Sequence, residues 1–173
     1  MGYAGGRMNT PNYGKMGDHT ETVQMDYDPR RITYARLLDI FWENHKPNRG
    51  SWSRQYLNAI FYHNEEQRAQ ALASKIALEQ KTGSAVKTEV LPLRSFTMAE
   101  DYHQKYTLKR HQVLLNEMTR IYPGSRDFVD STAVSRLNGY AGRHGAADRL
   151  SREIDSFGLS DEGKKRLADL VRR

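Results

Sequence analysis

The sequence contains no cysteine among its 173 residues. Disulfide bonds, thiolate metal sites and a thiol nucleophile are therefore excluded within these residues. No apolar run approaches the roughly 20 residues that a helix needs to cross a bilayer. The N-terminus also lacks the charged and then apolar pattern of a signal peptide. We expect a soluble, cytoplasmic monomer with no membrane partner.

The charge balance is basic, with 27 Lys and Arg against 21 Asp and Glu, a net charge of +6 at pH 7. Such a balance allows an acidic partner such as nucleic acid. The basic residues are scattered, however, and the run Lys164–Arg166 is followed by apolar positions at helical spacing. This pattern favours solvated helix faces, so we expect no nucleic acid partner and keep nucleic acid binding as the weaker alternative.

The chain also has little that indicates metal or serine chemistry. Its six histidines lie far apart without paired ligand spacing, which predicts no metal site. No serine lies in a Gly-x-Ser-x-Gly nucleophile elbow, so the sequence offers no support for a Ser-His-Asp arrangement.

The run from His19 to Tyr27 alternates like a strand and places Glu21 on the same face as Val23, Met25 and Tyr27. A carboxyl group on an apolar face loses the hydration of its charged form, so it can stay protonated and donate to an oxygen. Glu21 is therefore a candidate general acid. The alternative is that Glu21 lies at the frayed start of an edge strand and reaches solvent.

Turn-forming residues dominate Met1 to Asp18, which predicts an ordered loop. Periodicity then predicts strands near 20–27, 57–62 and 86–91 and helices near 33–45 and 65–81. Thr33 and Asn64 are the predicted N-caps, and Gly83 is predicted to end the second helix. Trp42 is predicted to lie in the core.

The rest of the chain is predicted to be helical. Tyr102 and Tyr106 are four residues apart, as on one helical face. Two or three helical pieces follow from about Arg110, and Ser160 is predicted to cap the last. This order of elements predicts a mixed class in which helices cover one face of a small sheet.

Seven short segments resemble the methionine sulfoxide reductase A family. In chain order they are Gly2–Gly6, Asn9–Tyr13, His19–Glu21, Tyr27–Pro29, Phe41–His45, Gln55-Tyr56 and Ala99–Tyr106. The resemblance covers roughly residues 2 to 110. Each segment is short, but this many in register make the family assignment strong.

The resemblance implies reduction of the S epimer of methionine sulfoxide, free or in proteins. In that family a cysteine thiolate attacks the sulfoxide sulfur while a glutamic acid and two tyrosines hold and protonate the oxygen. By motif position the acid is Glu21 and the tyrosines are Tyr13 and Tyr56. No cofactor is implied. A second thiol clears the resulting sulfenic acid, with thioredoxin or another thiol as the external reductant.

The chain departs from the family pattern in its thiols. The family's Gly-Cys-Phe-Trp segment, upstream of the glycine turn, is not in this sequence, and no resolving cysteine follows. Residues 48–53 also replace a longer loop that carries an aspartate in the family. We therefore expect no reductase activity from these 173 residues alone. We further expect a nucleophile, Cys or selenocysteine, encoded upstream.

The fold implied by the resemblance is α+β, a ferredoxin-like two-layer domain of sheet and helices. It spans residues 1–110 and is expected to lack its first strand and helix, so its sheet lacks an inner strand. Residues 111–173 are expected to form a helical C-terminal extension, to which we assign no function.

Two functions stay open. One is a reductase whose sequence record is truncated. The other is a cysteine-free relative that binds methionine or oxidised segments without turning them over. An upstream reading frame that contains the nucleophile would decide for the first.

Overall fold

A computed structural model describes residues 1–172. The chain forms two compact units, Met1–Glu100 and Asp101–Arg173. The first unit combines strands and helices, and the second is helical. The chain is thus of the mixed α and β class.

The first unit contains five strands and two α-helices. In chain order they are β1 (Gly2–Ala4), β2 (Thr20–Thr22), α1 (Tyr34–Glu43), β3 (Ala59–Tyr62), α2 (Glu65–Thr82), β4 (Glu89–Pro92) and β5 (Phe96–Met98). The strands form two separate sheets. An antiparallel sheet has the order β2-β1-β5, and β3 pairs with β4 in parallel. The prediction that strands near 20–27, 57–62 and 86–91 share one sheet is therefore wrong.

The two helices of the first unit follow the sequence prediction closely. The Thr33 side chain accepts from the backbone of α1, and the Asn64 side chain does the same for α2. Gly83 ends α2 in the left-handed conformation, with φ of 64°. Trp42 is buried as predicted, and its indole N–H donates to Ser74 Oγ at 3.0 Å.

The core of this unit joins both helices to the parallel sheet. Its buried side chains are Leu38, Trp42, Ile60, Ala71 and Val86. The parallel strands require a crossover connection, and α2 supplies it. The predicted third strand begins only at Glu89, where pairing with Ala59 of β3 starts, because the Lys87 N–H before it donates to the Pro47 carbonyl instead. Thr88 is held by side-chain bonds, because its hydroxyl bonds to the His45 ring and its carbonyl accepts from Lys75.

Two strands were not expected. The predicted loop over Met1 to Asp18 contains β1, whose Tyr3 is buried opposite Glu21 and Thr97. The region after Pro92 contains β5. Tyr102 and Tyr106 lie on separate elements, a 3₁₀ turn at Asp101–His103 and helix α3. Lys105 interrupts the expected helix between them, because its φ of 51° is left-handed.

The second unit contains six α-helices among its described residues. They are α3 (Tyr106–Lys109), α4 (Gln112–Ile121), α5 (Ser125–Asp130), α6 (Thr132–Ala141), α7 (Ala147–Glu153) and α8 (Asp161–Val171). Five of them follow Arg110, where two or three were predicted. Ser160 caps α8 as predicted, accepting from the Gly163 N–H at 3.2 Å.

One apolar cluster holds the second unit together. Its fully buried aliphatic members are Leu108, Leu114, Met118, Val134, Leu137 and Leu167. Because these residues come from four helices, the short helices gain their stability from packing more than from intrinsic propensity. None of the helices within residues 1–172 has the length and apolar character required to span a membrane.

Candidate functional site

Gln55 brings two of the predicted site residues together. The Glu21 N–H donates to the Gln55 carbonyl at 3.0 Å, so the segment around Gln55 runs beside β2. The Gln55 amide nitrogen then donates to Glu21 Oε1 at 2.8 Å and contacts the Tyr56 hydroxyl at 3.1 Å. An amide nitrogen has two N–H donors, and this geometry uses both. The carboxyl and phenol groups are therefore fixed on either side of one amide.

Tyr13 completes the group from a turn. Asn12 and Lys15 exchange backbone hydrogen bonds across this turn. The Tyr13 N–H donates to Glu100 Oε1 at 3.0 Å. The other oxygen of Glu100 accepts from the Tyr3 hydroxyl at 2.6 Å, which ties the turn to β1. The Tyr13 side chain also hydrogen-bonds to the Tyr56 side chain. The structure thus places Glu21, Tyr13 and Tyr56 together, while their chemical roles remain predictions.

The Tyr56 phenol is biased towards its protonated form. Partial burial is the main reason that its pKa is raised, and the nearby Glu21 and Tyr13 add to the effect. The Trp52 ring also lies 4.9 Å from the Tyr56 ring, centroid to centroid. This contact covers part of one face of the Tyr56 ring. Trp52 itself is 82% exposed to solvent. A phenol that keeps its proton can donate to a substrate oxygen.

The strand predicted over residues 20–27 is shorter than expected, and its expected apolar face is not buried. Strand β2 ends at Thr22, because β1 begins at Gly2 opposite that residue and nothing in β1 lies opposite Val23. Val23 is 68% exposed and Met25 is 61% exposed, so the alternation carries no buried face. Glu21 is half-buried, and its carboxyl is held by the Gln55 amide.

A cleft of about 400 Å³ adjoins Glu21. It lies between β2, β3 and α1, and therefore between strands of two different sheets. Its apolar lining includes Val23, Met25, Leu37, Leu57, Phe61 and Phe96. Glu21 lines this cleft, whereas Tyr13 and Tyr56 lie outside its lining. Of the three predicted site residues, Glu21 is therefore the one that lines this apolar cleft.

Comparisons with known proteins identify the family. The sequence profile described as "Peptide methionine sulfoxide reductase" matches residues 1–136, most of the chain. The chain belongs to the peptide methionine sulfoxide reductase family. The match continues past Arg110 into α6.

Two curated relatives extend well beyond the region that this chain matches. A Drosophila melanogaster peptide methionine sulfoxide reductase is 38% identical over 162 residues, which are 92% of this chain and 65% of the relative. Peptide methionine sulfoxide reductase A5 of Arabidopsis thaliana is 37% identical over 90% of this chain and 62% of its own length. The chain therefore spans less than two thirds of these relatives.

Solved structures of the family share the fold. Reduced Mxr1 from Saccharomyces cerevisiae superposes with a TM-score of 0.59 at 28% identity, over 64% of this chain and 69% of that chain. Methionine sulfoxide reductase A of Corynebacterium diphtheriae gives 0.52 at 29% identity, over 65% of this chain and 62% of that chain.

Sequence reasoning missed the roles of two residues at or beside the candidate site, Gln55 and His19. Gln55 lies in a motif, but nothing in the motif shows that its amide joins Glu21 to Tyr56. His19 is 1% exposed, and its ring accepts from the Gly6 N–H and donates to the Met8 carbonyl. A Cβ on Gly6 would lie 2.4 Å from the His19 ring, so the loop requires glycine there. His19 therefore holds the glycine loop in place.

Residues 1–172 contain no group of three or more His, Asp or Glu side chains placed to hold a metal ion. The donors at the site are a carboxyl, an amide and two phenols, so proton donation and hydrogen bonding are its available chemistry.

Proposed function

We propose that this chain supplies the proton-donating half of a peptide-methionine (S)-S-oxide reductase site. The observation that carries the proposal is the Gln55 amide, which holds the Glu21 carboxyl and the Tyr56 phenol 2.8 and 3.1 Å from one nitrogen. Membership of the family and the hydrogen bond between the Tyr13 and Tyr56 side chains support it. The substrate is methionine S-sulfoxide, free or in polypeptides.

In the proposed reaction a thiolate attacks the sulfoxide sulfur and the S–O bond breaks. The attack forms an S–S bond, and transfer of the oxygen to the thiol sulfur breaks that bond, which leaves a sulfenic acid and releases methionine as the thioether. Glu21 protonates the oxygen as charge develops on it, while Tyr56 and Tyr13 donate hydrogen bonds to it. A second thiol then converts the sulfenic acid to a disulfide with release of water. Thioredoxin or another external thiol restores the first thiol.

The nucleophile must come from outside these residues, since the sequence contains no cysteine. We propose that the cleft beside Glu21 receives the segment that carries it. Strands β2 and β3 both line this cleft, and each lies at the edge of its sheet. A further strand between them would join the two sheets into the ferredoxin-like arrangement that the resemblance implies. We also propose residues 1–110 as the reductase-like domain and 111–173 as its extension, since Glu21, Tyr13 and Tyr56 all precede residue 110.

The test sequences the full transcript and, where it encodes a thiol, assays its product on methyl p-tolyl sulfoxide with dithiothreitol. We expect reduction of the S epimer, slowed roughly 10²–10⁴-fold by Glu21→Gln, which keeps the shape but removes the transferable proton. Binding should change little. Glu43→Gln, at an exposed position of α1, is the matched control and should leave the rate unchanged. An unmodified rate in Glu21→Gln would show that the acid role is wrong.

The 173-residue chain itself should show no reduction with dithiothreitol or thioredoxin. If the transcript encodes no thiol and the chain is stably folded, the cysteine-free binding module is the better function. Binding of methionine or an oxidised peptide would then be measured directly.

A further inference from the structure

A second cavity in the first unit is basic. It encloses about 350 Å³, and its lining includes Arg7, Arg54, Arg94 and Asp18 together with Gly5 and Phe61. Phe61 also lines the apolar cleft, so the two spaces share a wall. Three guanidinium groups and one carboxylate give this cavity a surplus of two positive charges. None of the residues lining it was predicted as a site residue.

The three arginines have unused donors. Within residues 1–172, no ion pair involves Arg7, Arg54 or Arg94. Asp18, the one acidic residue of the cavity, accepts from the backbone N–H of Arg7 at 2.9 Å. Arg54 spends its Nε donor on the Asp18 carbonyl at 3.3 Å. Because a guanidinium has five N–H donors in a planar fork, each arginine retains the geometry that binds a carboxylate or phosphate.

The backbone beneath these arginines is fixed. Gly5 adopts φ of 80°, and a Cβ there would lie 2.7 Å from the Phe61 ring and 3.7 Å from Arg54 Nη2. The Gly5 backbone and the Phe61 ring therefore pack closely at one wall of the cavity, and a larger side chain at position 5 would push them apart. The hydrogen bond from Arg54 to the Asp18 carbonyl holds that guanidinium at the same wall.

This basic cavity lies beside the candidate site, because the segments around residues 18–21 and 54–56 contribute residues to both. Thr20 Oγ1 donates to the Arg54 carbonyl at 2.9 Å, and the Glu21 N–H donates to the Gln55 carbonyl at 3.0 Å. Arg54 is two residues from Tyr56, which places their Cα atoms within about 8 Å. An extended polypeptide advances about 3.3 Å per residue, so two or three residues would span that interval.

We propose that Arg7, Arg54 and Arg94 bind the carboxylate of an acidic residue that lies two or three positions from the oxidised methionine in a polypeptide substrate. That the bound molecule is an oxidised polypeptide rests on the proposed function. That the cavity binds an anion rests on the three arginines alone. The chemistry shared with a free anion such as phosphate is recognition of oxygens by guanidinium forks.

The experiment titrates the 173-residue chain and reads the arginine Nε–Hε signals by NMR. The probes are a blocked peptide with methionine S-sulfoxide and an aspartate two positions to each side, its asparagine counterpart, and inorganic phosphate. We expect the aspartate peptide to shift the three arginine signals and to bind roughly tenfold more tightly than the asparagine peptide, as one charge-assisted pair would give.

Arg94→Gln should abolish this preference, and Arg31→Gln, which removes the same charge from the turn before α1, should retain it. If Arg94→Gln and Arg31→Gln reduced the preference for the aspartate peptide equally, the attraction would be a general one to a basic protein, and the proposed carboxylate site would be wrong. Phosphate binding without a response to the aspartate peptide would overturn the polypeptide source. The outcome does not depend on turnover, so a failure here is distinct from a failure of the reductase assay.

Discussion

Tyr140 in α6 has an ionisation that folding strongly perturbs. The residue is 4% exposed, and its hydroxyl donates to Glu153 Oε1 at 2.5 Å. Arg136 forms an ion pair with the other oxygen of that carboxylate. Burial first, then the hydrogen bond and the charge of Glu153, raise the pKa of Tyr140 from 10.0 to about 12. Folding therefore favours the protonated phenol.

The sign of the effect on stability follows from proton binding. An unfolded tyrosine loses its proton near pH 10, whereas the folded protein retains it to about pH 12. Between these values the unfolded state binds fewer protons, so the free energy of unfolding falls as the pH rises. At 1.36 kcal/mol per pH unit, the total loss is about 3 kcal/mol. About half of it should appear by pH 11, and none below about pH 9.

Tyr140→Phe removes this titration and keeps the ring in the core. We expect the variant to lose about 1 kcal/mol at pH 7, the usual value of one hydrogen bond, and to lack the alkaline decline. Urea unfolding followed by circular dichroism at pH 7, 9, 10 and 11 measures the difference from the parent chain. Tyr106→Phe is the control, because Tyr106 is 62% exposed and should leave the decline unchanged. Parallel pH curves for the parent and Tyr140→Phe would refute the reasoning.

Three further predictions concern packing, capping and the site. Leu137→Ala, at a fully buried position, should lower the free energy of unfolding by about 3 kcal/mol in urea titrations. Asn64→Ala removes the side chain that accepts from the Gln67 N–H at 2.8 Å, and should cost about 1 kcal/mol, measured in the same way. Glu21→Gln should lower the pKa of Tyr56, because the Glu21 charge is second to burial among the causes that raise it. A pH titration of ¹³C-labelled tyrosine measures this pKa, and an unchanged value would contradict the contact.

Helices were predictable from sequence because their ends are encoded locally. Thr33, Asn64 and Ser160 each cap a helix by accepting from an N–H three residues ahead. That interaction needs no knowledge of the rest of the chain. Gly83 likewise ends α2 through its own left-handed backbone. The sequence pattern that marks a helix end is therefore contained within a few neighbouring residues.

Strands were harder to predict because their partners are distant. Tyr3 of β1 pairs with Glu21 on one side and Thr97 on the other. Nothing near Tyr3 in the sequence indicates either partner, and the glycines at positions 2, 5 and 6 indicate a turn. The alternation after Glu21 was misleading for the same reason, since a strand persists only as far as its partner does. Pairing therefore decided which patterns became strands.

The candidate site shows the same division between local and distant information. Motifs resembling the family marked Glu21, Tyr13 and Tyr56, but they did not reveal the groups that hold them. The Gln55 side-chain amide donates to Glu21 in β2, 34 residues earlier in the chain. The Glu100 carboxylate accepts from the Tyr3 hydroxyl with one oxygen and from the Tyr13 N–H with the other. Such positioning groups depend on chain segments that meet only in the folded state.

The glycine run provides a physical link between the candidate site and the basic cavity. As sequence, Gly5 and Gly6 indicate only a turn. In the folded chain Gly5 admits the Phe61 ring and Gly6 admits the His19 ring, each closer than a Cβ would allow. His19 leads directly into β2, and Phe61 forms part of both the basic cavity and the apolar cleft. A larger side chain at Gly5 would displace the ring that lines both spaces, and one at Gly6 would displace the ring beside β2, so one short loop sets the geometry of both the candidate site and the basic cavity.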